Sequence, residues 1–468
     1  MRLRAPASDS APRLATAAIL IVAAAVSLWL NLPGHLSYDS VVQLAEGRTG
    51  VYGGEHPPVM SWLLGLGDAL APGTALFVVF DTLLVYGALV ALVMIAPRIS
   101  WLAAPLAAAS VCLPQLALYP AIVWKDVLFA GSVTAGFAAL AWAAAAWPRV
   151  WVRFACLAAG ALLLTLATLA RQNGAVVLPF GALAVGLIAG GSGMSRGRAL
   201  AHGAGFLALA LPLFAAASLA LATRLETQDA TDQAWTSLQT YDLTAAVVRD
   251  PRLELGTLRS RAPQVETLIR TQGVSAYSPI RVDPLEPMMD QFDPSAAAPI
   301  AAQWRSLIVG HPWLYLRIRG TAFRWVFLTP DPSQCVLYVT GVDGPAEEMA
   351  TAGLKPRDTA TDEAMAAYAD AFAPTPAFSH ATYALVGLGL LAFLLRRRTG
   401  PDIAVAAMLA SAFTFTASFA LISIACDYRY LYALDLTAIA AALYVAASAG
   451  RAATAAAGPE KRPGPARA

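Results

Sequence analysis

Asp39 is the one acid in an otherwise uncharged stretch, His35-Leu36-Ser37-Tyr38-Asp39-Ser40. A carboxylate in such a place can take a proton from a hydroxyl or hold a divalent cation. The plainer role is a loop Asp capping the helix that follows. Further on, Glu55 and His56 stand directly before Pro57-Pro58. Glu with His suits a borderline divalent ion, which makes these two the candidate metal ligands. The double proline alone is accounted for by a cleanly started helix, with both polar residues solvated. Three cations are similarly isolated: Lys125 in Trp124-Lys125-Asp126, Arg171 in Arg171-Gln172-Asn173-Gly174, and Arg429 in Asp427-Tyr428-Arg429-Tyr430. Each can hydrogen-bond a phosphate, the arginines bidentately. Each can equally pair with an acid such as Asp126 or Asp427, or snorkel to lipid headgroups.

The elements that must position these groups are membrane helices. Of the 468 residues 58% are hydrophobic and 13% charged, with a mean hydropathy of +0.59. A soluble domain carries about 25% charged residues, so a water-soluble core is excluded. The formal charge of +2 gives nothing for nucleic acid to bind. Apolar windows long enough to cross about 30 Å of hydrocarbon lie at 14–38, 74–97, 99–124, 127–148, 154–170, 172–195, 199–223, 371–395, 403–426 and 430–450. The reading is an all-α polytopic membrane protein of about ten transmembrane helices. Asp81 and Asp435, near the ends of two windows, are expected to pair with loop arginines, and Tyr119 and Trp124 to belong to an interfacial aromatic belt.

With the N-terminus inside, the short inner segments hold fifteen basic residues against three acids. Of basic residues, the short outer loops hold only Arg48, Lys125, Arg171 and Arg429. Both termini are therefore expected in the cytoplasm, in a plasma (inner) membrane. The modules are 1–222 with seven helices and a first outer loop 32–73, 223–378 outside the membrane, and 379–450 with three helices. A tail at 451–468 reads as disordered. The outer insertion holds nineteen acids and thirteen bases between 224 and 378, and is expected to be of mixed or helical structure. Within it 313–328 carries Arg317, Arg319 and Arg324, too many for a span, and reads as an interfacial helix with Trp304, Trp313, Tyr315 and Trp325 at headgroup depth. Thr240-Tyr241-Asp242 reads as helix surface. Four distant cysteines, Cys112, Cys156, Cys335 and Cys426, indicate neither a zinc site nor a disulfide framework.

On this topology the unusual polar loops share one outer face. Tyr38-Asp39-Ser40, Ala45-Glu46-Gly47 and His56-Pro57-Pro58, then Trp124-Lys125-Asp126, Arg171-Gln172-Asn173-Gly174 and Asp427-Tyr428-Arg429-Tyr430-Leu431, occur in an order and on a face that resemble the C-type glycosyltransferase superfamily. Its members include protein O-mannosyltransferases, aminoarabinose transferases acting on lipid A and lipopolysaccharide-core transferases. The resemblance implies that Asp39 is the catalytic acid and that a polyprenyl-phosphate-linked sugar enters sideways from the outer leaflet. The acceptor would be an extracytoplasmic glycan, lipid or protein. Lys125, Arg171 and Arg429 would then hold the donor phosphate, and Tyr38, His56, Asp126, Asn173 and Tyr428 would line the substrate. Several relatives carry Asp-Glu where this chain has Asp39-Ser40, so a second acid would be Glu46 or Glu55. A divalent metal is thus an open expectation. From other classes, a flippase of lipid-linked saccharide and a non-catalytic scaffold stay as alternatives.

Overall fold

The computed structural model describes residues 11–53, 56–95, 100–225 and 230–448. Glu55 and the tail 451–468 lie outside the described residues. The chain is all-α and polytopic, and no strand longer than an isolated bridge occurs among the described residues. Helix α1 (Ala11–Asn31) leads into two shorter helices, α2 (Tyr38–Thr49) and α3 (Pro58–Leu70). There follow α4 (Ala75–Ile95), α5 (Ala103–Val111), α6 (Pro114–Ala117), α7 (Lys125–Ala145), α8 (Val150–Ala170), α9 (Val177–Gly191) and α10 (Arg196–Ala222). Eight helices are long and apolar enough to cross a membrane, and a bent pair makes a ninth, among the described residues.

Every one of the ten expected windows carries a helix, and two of them differ in detail from a straight span. Window 99–124 is not a straight helix: α5 and the stretch Pro114–Ala121 meet at 77°. Pro114 cannot donate into a continued helix, and it disfavours helical backbone at Leu113. The pair still carries the chain from one face to the other, because Ser100 N bonds Ala447 O at one end while His35 N bonds Ala121 O at the other. Window 371–395 begins later than expected, as α20 (His380–Arg397), which ends in Arg396-Arg397 and packs along α21 (Gly400–Ile422) and α22 (Tyr432–Ser448). Helix α7 is buried along most of its length between α4, α8, α21 and α22. Its Phe129 stacks on Phe415 at 4.2 Å.

The segment between α10 and α20 is helical. It contains α11 (Ala230–Arg249), the short α12 (Gly256–Arg261), α13 (Pro263–Leu268), α14 (Val274–Ala276) and α15 (Glu286–Met289), then α16 (Ala297–Gly310), α17 (Pro312–Leu328), α18 (Ala346–Thr351) and α19 (Ala360–Asp370). A second apolar core, with Leu243, Val247, Leu258, Ile300 and Ile318, holds α11 to α17 together, while Met349 of α18 and Met365 of α19 pack into the main core. Helix α17 occupies the expected interfacial stretch, but its chemistry differs from the expectation. Arg319 turns inward, bonds Asp242 at 2.7 Å and donates to the Ser423 carbonyl beyond α21. Trp304 donates to the same Asp242 at 2.9 Å and meets Tyr315 edge-on, so both rings make contacts within the protein. Asp242 is fully buried and Tyr241 with it, not on a helix surface. A buried carboxylate with a matching guanidinium satisfies the polar demand of both, which is why these residues face inward.

Removing one partner of such a pair strands a buried charge, a loss of about 3–5 kcal/mol. Asp242→Ala is expected to lower the unfolding midpoint of the full chain sharply. Asp242→Leu combined with Arg319→Met should recover most of it. A double variant as unstable as the single one would contradict the assignment.

Cys335 and Cys426 are joined in a disulfide across 91 residues of sequence, contrary to the reading of the cysteines as unpaired. Spacing alone could not show it, because the partners meet only when the inserted segment returns to the last loop. Tagging of denatured protein by a bulky maleimide should count two reactive thiols, Cys112 and Cys156, before reduction and all four after it. Four tags before reduction would contradict the bond.

Candidate active site

The first loop and the loop before α7 are laced together at one end of the bundle. His35 and Ile122 form a bridge, Val123 N bonds His35 O at 3.0 Å, and Ser40 Oγ bonds Val123 O at 2.5 Å. Helix α2 crosses α3 so closely that a Cβ on Gly65 would stand 2.3 Å from the Gly47 carbonyl oxygen. Only glycine permits this approach, and it sets α2, which carries Asp39, against α3, which His56 and Pro57 precede. From the other side comes a strap, residues 336–343. Its Val336 N bonds Cys426 O, Tyr428 N bonds Val336 O, and Leu36 N bonds Gly341 O. The first and last loops of the chain are thus held in one frame.

Within that frame the isolated charges meet. Asp39 Oδ2 bonds Arg429 Nη2 at 2.8 Å, across 390 residues. Arg429 Nε stands 2.8 Å from Asp427 Oδ2 and 3.9 Å from Asp126 Oδ2. Arg171, which has no acid beside it in sequence, bonds Asp126 at 2.6 Å. Lys125 Nζ hydrogen-bonds His56 Nδ1 at 2.7 Å, and His56 Nε2 faces Asp39 Oδ1 at 3.8 Å. Arg429 also lies over the Trp124 ring at 4.9 Å, and Arg171 over Phe419 and Tyr430 at 5.4 and 5.5 Å. Three carboxylates and three basic side chains form one connected and formally neutral network. The arginine faces are stacked on aromatic rings, an arrangement suited to guanidinium and not to ammonium. Asp126 Oδ2 and Arg171 Nε have hydrogen-bonding capacity left over among the described residues.

Burial would raise the Asp39 carboxyl, but the His56 ring and the Arg429 and Lys125 charges outweigh it and hold the group well below the usual carboxylate range. Asp427 goes the other way. Burial pushes it up to about 6; Arg429 opposes the rise, and Asp126 and Asp39 add to it. A raised folded-state pKa contributes stability that is complete below the ordinary carboxylate pKa and is lost as pH rises through about 6. Asp39 stays ionised over that interval while Asp427 changes charge.

The other expected site residues fall into place with varied roles. Tyr38 is 62% exposed at the start of α2. Asn173 donates to Ser418 Oγ at 2.7 Å, tying the α8–α9 loop to α21. Tyr428 is buried beneath the network, its hydroxyl on the Ala377 carbonyl and its ring stacked 3.9 Å from His380. That makes it a packing residue, not part of the accessible surface. Tyr119 and Trp124 are buried as well; the belt expected of them is replaced by a hydrogen bond from Tyr119 to Leu337 O and one from Trp124 Nε1 to Ser37 Oγ at 2.9 Å. Asp435 pairs with buried His380 at 2.8 Å, not with an arginine, and Asp81 has no hydrogen-bond partner among the described residues.

Glu46, one candidate for a second acid, is engaged elsewhere: it accepts from Gly53 N at 2.7 Å and Ser61 Oγ at 2.5 Å. No group of three His, Cys, Asp or Glu able to hold a metal occurs among the described residues. His56 presents Nδ1 to the Lys125 ammonium, and Asp39 presents an oxygen to Arg429, so a divalent ion there would have to displace two cations. The residues as placed do not fit a metal.

Residue types in the loops did not reveal His35. Burial and the Arg357 charge lower its pKa to about 4, with Asp362 opposing. Its Nδ1 accepts from Gly341 N at 3.0 Å and its Nε2 meets Asn31 Oδ1 at 2.9 Å, which fixes the strap to the end of α1. The only hint in the sequence was a histidine four residues after Asn31, at the end of a span.

No family model and no curated protein matches the chain. Solved structures that do match include the oligosaccharyltransferase of Archaeoglobus fulgidus. Against its apo form the TM-score is 0.41 at 13% identity, over 96% of this chain and 52% of that one. Against the complex of that organism's AglB with an inhibitory peptide and a dolichol-phosphate, the values are 0.39 and 14%, over 96% and 52%. The chain spans about half the length of these structures, and the likeness gives no residue here a role.

Proposed function

We propose that this chain is a membrane glycosyltransferase of the C type, moving a sugar from a polyprenyl-phosphate donor to an acceptor hydroxyl outside the cytoplasm. The observation that carries the reading is the direct bond between Asp39 and Arg429 inside a network that also holds Lys125, Arg171 and His56 at one mouth of the bundle. Convergent charges at such a mouth, with opposed pKa shifts, mark a site of chemistry more than of packing.

In the reaction the acceptor oxygen bonds to the anomeric carbon as that carbon's bond to the phosphate oxygen breaks. Asp39 takes the hydroxyl proton. Lys125, Arg171 and Arg429 take up the negative charge that grows on the departing lipid phosphate. A carboxylate held below its usual range is a weak base, so Asp39 first orients the hydroxyl. Its basicity rises when the donor phosphate draws Arg429 away. Lys125, hydrogen-bonded to His56 Nδ1, keeps the ring turned with Nε2 towards Asp39.

An apolar groove of about 520 Å³ between α1, α4 and α5, with Val22, Val26, Leu30 and Val111 on its walls, offers hydrocarbon a place beside the first loop. The basic residues Arg149, Arg153, Arg196, Arg198 and Arg396–Arg398 lie at helix ends away from the mouth, which supports placing the mouth outside. The Cys335–Cys426 bond, on the mouth side, suits an oxidising compartment.

Protonating Asp427 leaves the network one positive charge richer. The apparent KM for a phosphodiester donor should therefore fall as pH drops through about 6, with turnover maintained because Asp39 remains ionised. Asp427→Asn should weaken that dependence. A KM that rises on acidification in the native chain would contradict the assignment.

Transfer itself is tested with purified protein in lipid vesicles and a polyprenyl-phosphate sugar labelled in the sugar. With an envelope extract supplied as acceptor, label that moves from the polyprenyl lipid to a hydroxyl of that extract supports the reading. Label that crosses the bilayer still attached to its lipid would instead establish a flippase.

A further inference from the structure

Next to Asp39 along the chain lies a groove that none of the network's charged side chains lines. It has a volume of about 450 Å³ and runs between Ser37-Tyr38 at the start of α2 and the strap residues Thr340 and Asp343, with Gly344 just after the strap. That volume is within the range of about 300–1,000 Å³ usual for small-ligand sites. We propose that this groove is the acceptor subsite and that it takes a saccharide; the proposal rests on the glycosyltransferase reading above.

The walls are built, not incidental. Leu36 N bonds Gly341 O at 3.0 Å and Asp343 N bonds Leu36 O at 3.2 Å, so strap and first loop pair in parallel. On the strap's other edge Val342 exchanges two bonds with Arg357, at 2.9 and 3.0 Å. Gly344 packs so tightly that a Cβ there would meet Val41 Cβ at 2.8 Å. The groove therefore keeps its shape before anything binds, which lowers the ordering cost of binding.

Its chemistry selects among acceptors. An extended peptide recognised through its backbone needs a sheet edge with spare groups. Gly341 and Val342 have both of theirs committed, to Leu36, His35 and Arg357, and Asp343 N is committed to Leu36 O. A phosphorylated acceptor would face the carboxylate of Asp343. A sugar ring meets neither obstacle. Its C–H face can lie on the exposed ring of Tyr38, and adjacent hydroxyls can donate to Asp343, which is exposed and makes no ion pair among the described residues. Thr340 and Ser37 add hydroxyls that both donate and accept. Tyr38 immediately precedes Asp39 on the first turn of α2, which sets the edge of the groove one residue along the chain from the base.

The test places p-benzoylphenylalanine at position 340 of the full chain in its native membrane, with position 363 on α19 as an exposed control. After irradiation the adduct is proteolysed and weighed. The expected adduct carries pentose or hexose mass increments, is at least ten times more abundant at 340 than at 363, and falls at least tenfold when Asp343→Asn is added. A lipid-anchored acceptor shows a further lipid mass, and a free glycan does not. A second probe, at position 38, must give the same class of adduct. Peptide adducts, or labelling at 340 and 38 no greater than at 363, overturn the proposal. Asp39→Asn separates the two readings: sugar adducts with transfer intact leave the groove standing and remove Asp39 as base. Transfer lost by Asp39→Asn with no sugar adduct removes the groove and leaves the transferase.

Discussion

Asp39→Asn is expected to reduce sugar transfer at least about 100-fold, the lower end of what a positioned general base contributes. The substitution keeps the size of the side chain and removes its charge. Arg429 retains Asp427 at 2.8 Å, so the frame around it is kept and the protein should still fold. The loss should appear in kcat, with donor KM unchanged or lower, because the carboxylate opposes the arriving phosphate and serves the acceptor proton. Donor-dependent turnover by Asp39→Asn within a few-fold of the native chain would contradict the role. Asp39→Glu should recover only part of the rate, since an added methylene moves the oxygens relative to His56.

The second large effect is expected at Arg429. Its guanidinium bonds Asp39, lies beside Asp427 and approaches Asp126, with Trp124 under its face. Arg429→Ala leaves those carboxylates without their shared cation and removes a donor from the departing phosphate. Activity should fall about 10²–10³-fold, as for loss of one preorganised donor to a developing anion. Folding should also suffer, by about 3–5 kcal/mol, because neighbouring Asp427 and Asp126 are buried. Arg429→Lys keeps the charge but loses the fork and the stack, so it should restore stability more than turnover. Thermal unfolding and steady-state kinetics on the same preparations separate the two. A lysine variant with native kcat would contradict the bidentate role.

Much of this arrangement was legible because charge is scarce in the chain. Asp39, Lys125, Arg171 and Arg429 stood out as isolated ions next to apolar runs, and a common face followed from counting spans. Asp427 could be read as a neighbour of Arg429, but the long-range partners were not legible. Arg171 finds Asp126 and Arg429 finds Asp39 only after four loops converge, and nothing local records a contact across 390 residues. The strap, His35 and the Cys335–Cys426 bond were hidden for the same reason: each joins the inserted segment to a membrane loop. Inward-facing Arg319 misled because three arginines on an apolar helix look interfacial until one of them is seen to meet Asp242. The broken span was foreshadowed by Pro114, but the length and apolarity of 99–124 outweighed one proline in a window count. Asp435 was assigned an arginine because its partner, His380, lies at the start of another span and has no ligand-like spacing.

The central claim is that Asp39 serves the transfer of a sugar. It is tested most directly by mass spectrometry of envelope glycans and glycolipids from a deletion strain, complemented with the native gene or with Asp39→Asn at equal expression. The account predicts a sugar-sized mass that vanishes on deletion, returns with the native protein and stays absent with the Asn variant. Its return with the Asn variant would contradict the assignment of Asp39.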